Sequence, residues 1–334
     1  MVELKITLKS GSKFPSQMPL ELNYFMSFQT KTDYLIMDTM LYDTMNFVPD
    51  EEFTFEISPS SGMAIKFVGV FYNAKKLSDN VAHLRMTFVS KYYLGLMSSV
   101  PLYGGGNVAD IIETFYRKAN VPQVKKDRST VSFDTILLPR TTTVNSGIAY
   151  LLEHAVATGG AQDAYLVSTV VQDTAYIRSV KNGEKDIENM YYTIDSVQDN
   201  RRKIDIFGGL KMKMLNDSKD ANALTQTLPG DNKVERNVFY AISDKVHNRA
   251  KARVTQARAY YSRCLATITM LGWIPLFGSN LVVKNNDKDM YQSIPVEFKS
   301  LMQGKYFCNT QCLNADMRSS KELSICNIQL VEDV

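Results

Sequence analysis

Two short amphipathic helices, set between long stretches of strand-like alternation, place the tightest limit on how this chain folds. After Gly104-Gly105-Gly106, which reads as a flexible turn, Asn107 is placed to cap a helix. Val108, Ile111, Ile112, Phe115, Tyr116 and Ala119 then recur at helical spacing, and the pattern stops near Asn120-Val121-Pro122. A second helix starts at Thr143 or Asn145 with the stripe Val144, Ile148, Leu151, Leu152, Ala155 and Val156. It is expected to end at Gly159-Gly160, where a left-handed cap costs least. Residues 164–167 and 175–177 read as two strands of a hairpin turning at Gln172-Asp173-Thr174. No polar residue in this stretch is placed for chemistry, so the element reads as architectural.

On the N-terminal side the chain alternates. Val2, Leu4, Ile6 and Leu8 share one face and Glu3, Lys5, Thr7 and Lys9 the other, which is the pattern of a half-buried strand ending at Ser10-Gly11-Ser12. Further strands are expected at 20–28, 34–42, 52–57, 63–72 and 82–92, with 38–44 also open to a helical reading. Strands at this spacing suggest a small barrel or sandwich over residues 1–97. An α+β domain follows over 98–200, with a strand at 131–138 closed by Pro139, a turn at Asn182-Gly183 and a returning strand at 190–194.

Residues 201–214 read as a strand and 216–236 as a mobile surface excursion. The longest helix is expected over 239–263, with the stripe Ile242, Val246, Ala250, Val254, Ala257 and Tyr261. Beyond it the period returns to two at 264–270. A strand at 280–284 and a hairpin follow, with arms at 305–313 and 323–331 and a turn at 317–320. The fold class expected is therefore α+β, mainly β: β domain 1–97, α+β insert 98–200, and a second β domain 201–334 carrying one long helix. A chain of 334 residues suits two or three domains. With 45% apolar and 22% charged residues, long disorder is not expected.

The chemistry-bearing residues point away from catalysis. Cys264, Cys308, Cys312 and Cys326 contain no CxxC pair, and on a straight strand Cys308 and Cys312 would lie roughly 13 Å apart. Buried free thiols in a reducing compartment are favoured over a zinc site. His83, His154 and His247 are scattered. The glycine run precedes a helix, but no GxGxxG or GK[ST] surrounds it, and Thr141-Thr142-Thr143 reads as a turn and cap. Asp50-Glu51-Glu52 carries no paired-acid signature. No catalytic, cofactor or metal residue is therefore assigned, and the chain is not expected to be an enzyme.

The most lopsided patch is the helix carrying Lys245, Arg249, Lys251, Arg253, Arg258 and Arg263, with Asp244 the only acid nearby. Its cations spread over more than one face, so a solvated or subunit-contacting surface is favoured over an acidic partner protein, and both over nucleic acid. A formal net charge of +3 agrees. Charges among the first six residues argue against a signal peptide, and no apolar run is long enough to span a membrane.

Three segments together resemble the baseplate central hub proteins of contractile-tailed (T-even-like) bacteriophages, relatives of the hub part of type VI secretion spike proteins. The first is the strand ending Thr87-Phe88-Val89-Ser90, followed by the glycine-rich turn and helix 107–120. The second runs from Thr143-Val144-Asn145 through Gly159-Gly160 into Tyr165-Leu166-Val167. The third is the arginine-rich helix ending Tyr260-Tyr261, the strand 264–270, and Gly272-Trp273-Ile274-Pro275-Leu276-Phe277-Gly278 leading into the next strand. The resemblance implies two tube-like β domains per subunit, so that a homotrimer presents six similar domains to a sixfold tail tube and threefold symmetry to a trimeric spike. It implies a structural role in the virion baseplate, after assembly in the host cytoplasm, around a channel for the tape measure and DNA. Implied partners are the spike, the tail tube protein, the tape-measure protein and baseplate wedge proteins. A tail-tip or injection-system adhesion protein without catalytic activity is the alternative.

Overall fold

A computed structural model describes residues 2–12, 14, 17–42, 48, 50–60, 63–78, 82–99, 102–138, 141–160, 163–187, 194–199, 245–261, 265–283 and 304–333. The N-terminal flank contributes β1 (Glu3–Leu8), β2 (Gln17–Ser27), β3 (Tyr34–Leu41), β4 (Glu52–Ser58), β5 (Ile65–Lys76) and β6 (His83–Ser90). These pair antiparallel in the order β1-β4-β5-β6-β3-β2. The strands expected here all form, and Asp38 lies in β3 rather than in a helix. The register sets Asp38 opposite Arg85 of β6, where Nε and Nη2 of the guanidinium each donate to its carboxylate at 2.7 Å.

Alternation decides which face is inside. Leu22, Tyr24, Leu35, Met37, Phe53, Phe55, Phe67 and Phe88 form one core, while Lys5–Glu56 and Lys9–Glu52 pair across the outer face of β1 and β4. Leu4, Ile6 and Leu8 of β1 share that core with Leu313 and Ala315, which sit six strand positions away in the sheet. A flat sheet would separate those strands by about 29 Å. The sheet therefore curls round its aromatic core.

The middle of the chain supplies α1 (Tyr93–Met97), β7 (Leu102–Asn107), α2 (Val108–Lys118), β8 (Gln123–Lys126), β9 (Ser132–Leu138), α3 (Val144–Leu152), β10 (Val156–Ala157), β11 (Ala164–Val171) and β12 (Thr174–Ser179). Asn107 caps α2 as expected, its side chain accepting from the Ala109 N–H at 3.1 Å. Thr143 caps α3 in the same way, accepting from Ser146 at 3.1 Å. The two helices meet where α3 carries Gly147. A Cβ at that position would lie 2.8 Å from the Phe115 ring.

Two expectations need correction here. The glycine run is not a flexible turn: it lies in β7, paired antiparallel with β9 through a bulge between Gly104 and Gly106. A Cβ on Gly105 would come within 2.2 Å of the Asp134 carbonyl, and Gly106 has φ +126°, so the run permits a close strand approach feeding directly into the cap. Helix α3 also ends at Leu152, well before Gly159-Gly160. His154 Nδ1 lies 2.8 Å from the Tyr150 carbonyl, and Val156 and Ala157 then pair with β11. Ala155 and Val156 are buried in strand-type packing, which their apolar character alone does not separate from helix.

The C-terminal part supplies β13 (Asp186–Ile187), β14 (Ile194–Asp199), α4 (Lys245–Tyr261), β15 (Leu265–Leu271), β16 (Asn280–Val283), β17 (Gly304–Asp316) and β18 (Lys321–Asp333). The hairpin β17–β18 turns at 317–320, where Asp316 accepts from the Arg318 and Ser319 N–H groups and Ser320 has φ +54°. β17 serves two sheets' worth of partners: Gly304–Phe307 pairs with β16 and Thr310–Asp316 with β2. The result is one twelve-stranded sheet, β1-β4-β5-β6-β3-β2-β17-β18-β15-β14, with β13 and β16 beside it. The mainly β character expected from the sequence is present. The expected strand 201–214 and the excursion 216–236 lie outside the described residues.

Candidate functional site

For a chain with no assigned catalytic residue, the sites to weigh are sheet edges, exposed apolar groups and the joints between parts. Among the described residues the long sheet ends at β1 and β14. Charged residues line the outward face of β1, a pattern that blunts unwanted edge pairing.

One apolar patch stands out on the surface. Tyr72 is turned outward beside a bulge between Phe71 and Asn73, and its ring meets Tyr93 edge-on at 5.9 Å. Leu94 and Met97 of α1 are exposed alongside, since α1 directs Leu96 inward instead. A smaller patch pairs Met18 with Tyr42, whose hydroxyl lies 3.5 Å from the Met18 sulfur.

The contact between the β2–β3 loop and the end of β11 is polar and tightly bonded. Asp33, in the loop between β2 and β3, is fully buried. One of its oxygens accepts from the Tyr24 hydroxyl at 2.6 Å and from the Gln172 N–H at 2.8 Å. The surrounding backbone follows: Asp33 N–H donates to Val170 at 2.9 Å and Val170 N–H donates to Lys31 at 3.0 Å. Burial pushes the Asp33 carboxyl up to about 6, against the two hydrogen bonds, which act in the opposite direction. Beside this joint, a cleft of about 240 Å³ is lined by Lys66, Gln123 and Asp173. Asp173 accepts from the Tyr92 hydroxyl at 2.6 Å and pairs with Lys91 at 2.9 Å.

The basic helix α4 is held against β10, β11 and the residues flanking them. Ala250, Val254, Ala257 and Tyr261 of its stripe are buried as expected. Arg253 forks onto Asp163 at 2.6 and 2.7 Å, and Lys251 pairs with Glu153 at 2.7 Å. Asp163 lies 90 residues before Arg253, and Glu153 is more distant still from Lys251, so neither acid is a sequence neighbour of the helix. Part of the basic surface thus serves the chain's own packing.

Cys308, Cys312 and Cys326 are buried free thiols, with Cys312 pushed up to about 12 by burial. No group of three or more His, Cys, Asp or Glu able to hold a metal occurs among the described residues. Gly104 to Gly106 lie in a strand, and of the threonine run Thr143 serves as a cap.

No protein-family model matches the sequence, and no curated protein sequence does. Solved structures do match. The 43 kDa tail protein of prophage MuSo2 from Shewanella oneidensis superposes with a TM-score of 0.68 at 10% identity, covering 100% of each chain. A tail protein from Neisseria meningitidis MC58 gives 0.64 at 11% identity, covering 98% of this chain and 96% of its own. An Escherichia coli component of the type VI secretion system, described as structurally similar to the T4 tail proteins gp27 and gp5, gives 0.55 at 11% identity over 97% of this chain and 76% of its own. Along essentially its whole length, the chain shares the fold of phage tail proteins, as the resemblance in its sequence led one to expect.

Proposed function

We propose that this chain is the structural hub of a contractile-tail baseplate. It works as a homotrimer that adapts a sixfold tail tube to a threefold spike, without catalysis, and encloses the path of the tape measure and DNA. The observation that carries this reading is the full-length likeness of fold to a prophage tail protein. Two β flanks meeting through the β2–β17 pairing are compatible with a subunit that presents two wall segments to a ring. On this reading residues 1–97 and 201–334 are the tube-like domains and 98–200 the insert between them. A heterologous contact repeated three times closes such a ring. The Tyr72, Tyr93, Leu94 and Met97 patch supplies exposed apolar area of the type such contacts bury. Partners on this reading are the trimeric spike, the tail tube, the tape measure and wedge proteins, and the protein resides in the virion tail.

Light scattering of the purified protein over a tenfold concentration range tests the trimer. Three times 37.7 kDa, about 113 kDa, is expected. A stable dimer contradicts the symmetry. A monomer at every concentration, including in the presence of the spike, favours the adhesion reading.

A further inference from the structure

A second cleft, of about 360 Å³, opens where the loop after β2, the end of α3 with β11, and α4 come together. Its floor is apolar, with Phe28, Leu152 and Tyr165 in the lining. Its charged lining residues are Lys31, Arg258 and Glu153. Glu153 is already taken by Lys251. Arg258 donates to the Leu152 carbonyl at 3.3 Å and lies over the Tyr165 ring, 5.5 Å from its centre, while the residue stays exposed. The Lys31 ammonium has neither a hydrogen bond nor an ion pair among the described residues. Burial, and then the facing Arg258 charge, push Lys31 below the ordinary lysine value.

Two cations therefore face one cleft whose lining carboxylate among the described residues, Glu153, already pairs with Lys251. We propose that the cleft binds a carboxylate carried on a short hydrocarbon stem, as presented by a glutamate side chain of an assembling protein subunit. The oxyanion bridges Lys31 and Arg258 and relieves their mutual repulsion. The stem lies on the apolar floor, which offers a bare phosphate nothing. Since the cleft is formed within one chain, binding here is read independently of whether the chain closes into a trimer.

The test uses the full chain with its lysines ¹³C-dimethylated and the Lys31 signal assigned from Lys31→Arg. Butyrate, a glutamate side-chain analogue, is expected to shift that signal saturably and to raise its titration midpoint. Inorganic phosphate should do so more weakly. Arg258→Gln should weaken the butyrate effect on the order of tenfold. In the unliganded protein it should raise the Lys31 midpoint, because a like charge is gone. Lys31→Met leaves Arg258 as the cleft's one lining cation among the described residues and should cost butyrate binding, read by isothermal titration calorimetry, by a similar factor. A Lys31 signal that ignores both anions, or moves only linearly with concentration, overturns the proposal. A response to phosphate that exceeds the response to butyrate overturns the assignment to a protein carboxylate.

Discussion

Asp33→Asn isolates the electrostatics of the joint between the β2–β3 loop and the end of β11. The carboxyl is fully buried and its value rises from 3.8 to about 6. The sign follows from the two states. Below about 4 the group is protonated both folded and unfolded, so it adds no pH dependence there. Between about 4 and 6 the unfolded chain releases the proton while the folded protein holds it, so stability falls as pH rises. Above about 6 the folded form is also ionised and the loss is complete, at about 3 kcal/mol in total. An amide keeps one oxygen to accept from Tyr24 and Gln172 and carries no charge to desolvate. Urea unfolding of both proteins at pH 4, 5, 6, 7 and 8, at one protein concentration, gives the difference directly. The variant should gain about 2–2.5 kcal/mol on the wild type between pH 4 and pH 7, with the change centred near pH 5. A difference that stays flat across this range refutes the account of the joint.

Other consequences follow from packing. Gly105→Ala puts a Cβ against the Asp134 carbonyl and should cost about 1–3 kcal/mol, whereas Gly104→Ala meets open space and should stay within about 0.5 kcal/mol; thermal melts of the pair decide it. Phe88→Ala removes the ring that contacts Phe53, Phe55 and Phe71 and should cost about 3–5 kcal/mol in urea unfolding. Cys308, Cys312 and Cys326 should escape iodoacetamide at pH 8 in the native protein and react after unfolding, read by peptide mass spectrometry. Labelling of Cys312 in the folded chain would contradict its burial.

What the sequence disclosed depended on how local the cause was. Period-two alternation located β1 through β6, and the Asn107 and Thr143 caps were legible because each bonds within three residues. The end of α3 was not, because Ala155 and Val156 suit a buried strand and a buried helix alike. The glycine run was misread because the reason for it, the Asp134 carbonyl, lies on another strand. The same limit hid the joining of the flanks: Asn314 donates to Glu21 across almost the whole chain length, and no local pattern records such a pairing. Lys31 and Arg258 were likewise separate residues on paper. Their shared cleft exists only once α4 packs beside α3 and β11.

The threefold adaptor is tested most directly by electron cryomicroscopy of the assembled protein viewed down its ring. True threefold symmetry is expected, with six β lobes around a channel and each subunit supplying two of them. A true sixfold ring, a twofold particle, or three lobes without a channel would contradict it.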